Sequence, residues 1–231
     1  MTKDLSLTQK YFACAFYKKG KLNGFDLYSL VCLLASGILE LQLSGCISME
    51  GGNRLHLPAS GRKVAVTSGL PMEKAHLRPL YDYLNQDKPL KLEKVLIDYH
   101  YTLSSGKRRN ALINAIGESL VRKGLANEGK AALFGGRKSW YPSKKAVNQV
   151  IGMIRSELLE EGGVTEDTAA LAILLKRGKI INQYFSRYER KEMKENLNIF
   201  SKSPEGILVK EMVIWVNAVI DATTILATMG S

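Results

Sequence analysis

The chain alternates between stretches with different rhythms of apolar and polar residues, and those rhythms predict its elements. Leu5 to Tyr17 is apolar enough for either a helix or a strand, and Lys18 to Gly24 reads as a turn. Leu27 to Leu43 is apolar around almost its whole circumference, which predicts a central bundle helix with Asp26 as its cap. Gly45 and the Gly51-Gly52 pair then bracket Cys46 to Met49, with Arg54 to Leu57 following, so a β-hairpin is expected there. Gly61 to Pro71 continues as loop and short strand.

Met72, Leu77, Leu80 and Leu84 share a helical register broken before Pro89, and a second helix is expected over Leu90 to Tyr101. From Lys107 to Arg122, residues Leu112, Ile113, Ile116, Leu120 and Val121 form one helical stripe that ends at Gly124. The glycine-punctuated segment Leu125 to Pro142 reads as a second hairpin. Ser143 caps a helix over Lys144 to Glu160, and Thr165 caps another to about Lys176. A basic, aromatic helix over Lys179 to Asn198 and an apolar C-terminal helix over Ile207 to Met229 complete the pattern. The expected fold is mainly α: a single-domain helical bundle over residues 1–231 with two β-hairpins.

Charge adds a partner class. The 33 Lys and Arg against 22 Asp and Glu give a formal net charge of +11, a field that attracts phosphate-bearing partners, lipid or nucleic acid. The two longest apolar stretches carry Glu40 in one and Lys210, Glu211, Asn217 and Asp221 in the other, so both are read as buried helices rather than membrane spans. Cys14, Cys32 and Cys46 are too few for a disulfide framework and read as core thiols. Met1 to Lys10 has no signal-peptide pattern, so a cytoplasmic location is expected.

The chemistry of catalysis is not visible. His56, His76 and His100 share no ligand spacing, so no metal site and no cofactor are expected. Gly135-Gly136-Arg137-Lys138-Ser139 lacks the leading glycine of a phosphate loop, because position 131 is Ala131. Glu157, Glu160, Glu161, Glu166 and Asp167 crowd a helix end and the next helix start, and read as a solvated face plus favourable charge at the helix N-terminus near Thr165. The chain therefore reads as a binding protein and not an enzyme.

The second hairpin is the most informative feature. Leu133 and Phe134 precede its tip, Trp140 and Tyr141 follow it, and Arg137 and Lys138 lie between. Aliphatic and aromatic groups beside cations suit the membrane interface, with the four apolar residues inserting. Lys107, Arg108 and Arg109 open the preceding helix, where three cations oppose the dipole unless an anion is bound. Helix plus hairpin is also how a winged helix reads, which keeps a nucleic-acid partner as the alternative.

The order of segments resembles the Golgi phosphoprotein 3 family. The resemblance rests on Leu39 to Gly45 (LELQLSG), Ser119 to Leu125 (SLVRKGL), the Phe134 to Pro142 hairpin and Thr168 to Leu175 (TAALAILL). It implies a mainly helical, peripheral membrane protein that binds phosphatidylinositol 4-phosphate through a tryptophan and several arginines. Its hairpin would enter the bilayer, and coatomer and glycosyltransferase tails are the partners of eukaryotic members. Here Phe25 stands where the tryptophan falls, and Leu34, Asn110 and Ile113 stand where arginines fall, departures that resemble prokaryotic members. The expected headgroup site is accordingly Phe25 with Lys107, Arg108, Arg109, Arg137 and Lys138. The expected partners are an anionic phospholipid membrane surface and a protein of unspecified identity.

Overall fold

A computed structural model describes residues 5–17, 19–20, 27–50, 62–100, 102–129, 138–160 and 163–203, together with 206, 207, 210, 214 and 217. Among them, helix α1 (Leu7–Phe16) is the hub. Ser6 and Gln9 form a capping box at its start, and every residue of the helix except Lys10 is buried. It packs against α2 (Leu27–Leu43), α5 (Ser105–Arg122), α6 (Lys144–Leu158) and α7 (Glu166–Arg177). The Leu5 to Tyr17 segment, open between helix and strand in the sequence, is a helix because its start finds a capping box and every face but that of Lys10 finds partners. Phe12 and Phe16 stack along it, ring centroids 3.9 Å apart.

Helix α2 is the expected apolar helix, and it buries Glu40. The carboxylate accepts the Thr8 N–H at 2.9 Å and lies 3.1 Å from both Lys74 Nζ and His76 Nε2. Burial alone would raise the Glu40 pKa. The His76 hydrogen bond and charge, the Thr8 N–H and the Lys74 charge outweigh it and hold the group at about 2. Cys14, Cys32 and Cys46 are buried free thiols.

The first sheet differs from the expected hairpin. Strand β1 (Ile47–Glu50) pairs antiparallel with β2 (Lys63–Val66), Ile47 opposite Val66, and β2 pairs with the short β3 (Leu90–Lys91). The partner strand thus lies in the segment expected to hold a loop and short strand, while Arg54 to Leu57 and His56 lie outside the described residues. The helix expected from Met72 is divided. Met72–Leu77 is a 3-10 turn and α3 (Arg78–Leu84) starts afresh, because Pro79 has no N–H to give a continuous helix and fits its first turn instead. Helix α4 (Leu92–His100) follows.

Strands β4 (Ala126–Gly129) and β5 (Ser139–Pro142) form the second hairpin, Glu128 opposite Trp140. Ser143 caps α6 and Thr165 caps α7, as their sequence positions predict. The expected Lys179 to Asn198 helix is a 3-10 turn, Ile181–Gln183, and then α8 (Arg187–Phe200), restarted by the capping box of Ser186 and Glu189. Positions 206, 207, 210, 214 and 217 are helical, while Trp215 and Asp26 lie outside the described residues. No helix among the described residues is long and apolar enough to cross a membrane.

Candidate functional site

The three cations that open α5 diverge, because successive helical residues turn by about 100°. Lys107 is exposed. Arg108 turns back onto α4: its Nη1 donates to the Asp98 carbonyl at 3.1 Å and to Thr102 Oγ1 at 3.4 Å, and it bonds Ser104 Oγ. Its guanidinium lies 5.3 Å from the centroid of the Tyr83 ring. Burial first, and then the Arg109 charge, push the His100 imidazole pKa down. The run therefore does not form one anion-facing surface; Arg108 is committed to holding α4 against α5.

Lys107 does share a helical stripe with Asn110 and Asn114, about 10 Å along the axis, and that stripe leads to the hairpin. Trp140 Nε1 donates to Asn114 Oδ1 at 3.1 Å. Its ring lies over Gly117, where an added Cβ would come within 2.3 Å of it. The Trp140 N–H donates to the Gly20 carbonyl at 2.6 Å, which ties the turn after α1 to β5. Gly20 has a φ of +67° and lies against the Tyr141 ring, so it meets both a backbone and a space requirement that other residues do not.

The expectation that Trp140 inserts into a membrane is corrected by this geometry. Trp140 is 0% exposed, the largest fully buried side chain among the described residues. Because β5 alternates faces, Tyr141 points the other way and is 43% exposed. Leu133, Phe134 and Arg137 lie outside the described residues, as does Phe25. Trp140 is therefore the rivet at the hairpin's base.

Lys138 at that base is exposed but already occupied. Its Nζ is 3.3 Å from both Glu118 and Glu128, which raise its pKa, and it lies 5.4 Å from the Trp140 ring centroid. Of the positions that the resemblance sets against arginines, Leu34 is a core residue of α2, and Asn110 and Ile113 are half-buried on α5.

The acidic cluster is structural. Glu157 accepts both the N–H and the O–H of Thr165, at 2.9 and 2.7 Å, and Asp167 pairs with Lys10; Glu161 lies outside the described residues. No group of three or more His, Cys, Asp or Glu placed to hold a metal occurs among the described residues.

The sequence reading missed a different concentration of positive charge. A cavity of about 770 Å³ between α7 and α8 is lined by Lys176, Arg177, Lys179, Arg187, Arg190, Lys191, Lys194 and Lys210, around an apolar floor that includes Ile173, Met193 and Leu197. The signal was present as Lys176-Arg-Gly-Lys179 and Arg187-Tyr-Glu-Arg-Lys191, whose cations line one cavity only in the folded chain.

None of the curated proteins matches the chain. The family model described as Golgi phosphoprotein 3 (GPP34) matches residues 16–214, a span that takes in every element from α2 through α8. The chain belongs to the Golgi phosphoprotein 3 (GPP34) family.

Proposed function

We propose that this protein is a peripheral membrane protein that docks on anionic phospholipid without catalysing a reaction. Family membership over residues 16–214 carries the reading, since the family resemblance implies lipid-headgroup binding. The geometry supports it with a rigid mount. The hairpin base is fixed to α5 by Trp140 and to the α1 turn by Gly20, and Lys107 stands exposed on the α5 stripe that leads to it.

In this reading the connection between β4 and β5, with Leu133, Phe134 and Arg137, enters the interface, while Tyr141 and Lys107 lie at headgroup depth. Each cation near an anionic leaflet contributes about 1 kcal/mol. The reading assigns Trp140 and Arg108 to support of the surface, not to lipid contact. Replacement of the family's arginines by Leu34, Asn110 and Ile113 favours general anionic recognition over a phosphatidylinositol 4-phosphate site.

Co-sedimentation with neutral, phosphatidylglycerol-rich and phosphatidylinositol 4-phosphate-containing liposomes, at low and high salt and with duplex DNA as competitor, tests this reading. Binding to both anionic compositions, weakened at high salt and by Leu133→Ala with Phe134→Ala, is expected. No liposome binding, or complete displacement by DNA, would overturn it.

A further inference from the structure

We infer that the cavity between α7 and α8 is a second, separate site that takes one molecule of a phosphate-bearing lipid. The phosphate would sit among Lys176, Arg177, Lys191, Lys194 and Lys210, and the chain would lie on Ile173, Met193 and Leu197.

Charge supports the head of this ligand. Cations converge on the cavity from the end of α7, from α8 and from Lys210, and no carboxylate occurs among its described lining residues. Arg190 Nη1 donates to the Phe185 carbonyl and Lys179 Nζ lies 3.7 Å from the Tyr28 ring centroid, so those two are placed by the protein itself. Partial desolvation, then Arg177, then Lys194 push the Lys176 pKa down, a repulsion that a bound anion would relieve.

Lys179 adds a backbone observation. It closes α7 in a Schellman turn, with Ile180 N–H donating to the Leu175 carbonyl and Lys179 N–H to the Lys176 carbonyl, yet it adopts a φ of +57° where glycine is usual. A lysine kept in the left-handed region at a cavity rim is a strained residue at a charged site.

The floor supports the rest of the ligand. Met193 is buried, and Ile173 and Leu197 are half-buried. A free polyanion would leave the half-exposed Ile173 and Leu197 facing water, whereas an aliphatic chain covers them. The volume lies within the 300–1,000 Å³ typical of small-molecule sites.

The site does not depend on the hairpin surface, and its test is independent of liposome binding. Dihexanoyl phosphatidic acid, soluble as a monomer, is titrated calorimetrically into the full chain, with glycerol 3-phosphate as the chainless comparison and methyl NMR of Ile173, Met193 and Leu197 as the locator. One lipid per chain is expected, bound at least tenfold tighter than glycerol 3-phosphate, with shifts at those methyls. Lys176→Gln with Lys194→Gln is expected to weaken it at least tenfold. Should that pair fold poorly by circular dichroism, Arg177→Gln with Lys191→Gln replaces it. Equal affinity for glycerol 3-phosphate, absence of the methyl shifts, or unchanged binding by a folded double variant would overturn the proposal.

Discussion

Two cationic regions of this molecule, similar in sequence, differ in what surrounds them. At the α5 and hairpin region, Arg108 is spent on the Asp98 carbonyl and the Tyr83 ring, and Lys138 on Glu118 and Glu128. Across the α7 and α8 cavity, Lys176, Arg177, Lys191 and Lys194 line an apolar floor with no carboxylate among the described lining residues. The first arrangement stabilises the fold, since a satisfied charge adds a bond and leaves little field. The second leaves a field and stabilises nothing until an anion arrives. Net charge alone, +11 for the chain, does not distinguish the two.

The comparison breaks most readily at Trp140. Trp140→Ala should lose about 3–5 kcal/mol of unfolding free energy, because it empties a buried slot and leaves Asn114 without its donor. Urea denaturation measures this; a loss under about 0.5 kcal/mol would return the ring to the surface.

Glu40 is the extreme case of a satisfied charge. Its pKa is held below the unfolded carboxylate value, so the folded state binds its proton less readily, and the stabilisation is present above about pH 4.5. As pH falls from there toward about 2, on the order of 3 kcal/mol should be lost. Denaturant midpoints across that range, with Glu40→Gln flattening the profile, check the sign and the source.

Arg108→Ala should cost about 1–3 kcal/mol, because it abandons the Asp98 carbonyl and the Tyr83 face together. Lys107→Ala, on the exposed side of the same turn, should stay within about 0.5 kcal/mol. A thermal-shift series on the two variants separates bound from available cations; equal losses would remove the distinction at α5.

The smallest effect is expected in the cavity. Lys176→Gln with Lys194→Gln should change stability by no more than about 0.5 kcal/mol, in the stabilising direction at low salt, because it relieves repulsion between like charges. A clear destabilisation in urea would mean that these lysines hold α7 and α8 together.

Much of the fold was legible because its signals are local. The apolar run Leu27 to Leu43 is α2 to the residue, and Ser143 and Thr165 accept the N–H groups that their positions predict. The partner of β1 was not legible, since strand pairing is settled by closure against β3 and the core, with only Val64 of β2 fully buried. The hairpin was found, but not which of its faces is buried. Gly117, a glycine inside a helical stripe, was the one local sign that something large lies against α5.

The sequence by itself determined α2, α5, α6 and α7, the caps of α6 and α7, the hairpin after α5 and the excess of positive charge, because each depends on residues a few positions apart. Only the tertiary structure decided that Trp140 fills the slot over Gly117, that Lys138 meets Glu118, and that cations of α7 and α8 converge on one cavity. Those contacts join residues from separate elements, and whether a charge is spent or available depends on what packing brings within a few ångströms of it.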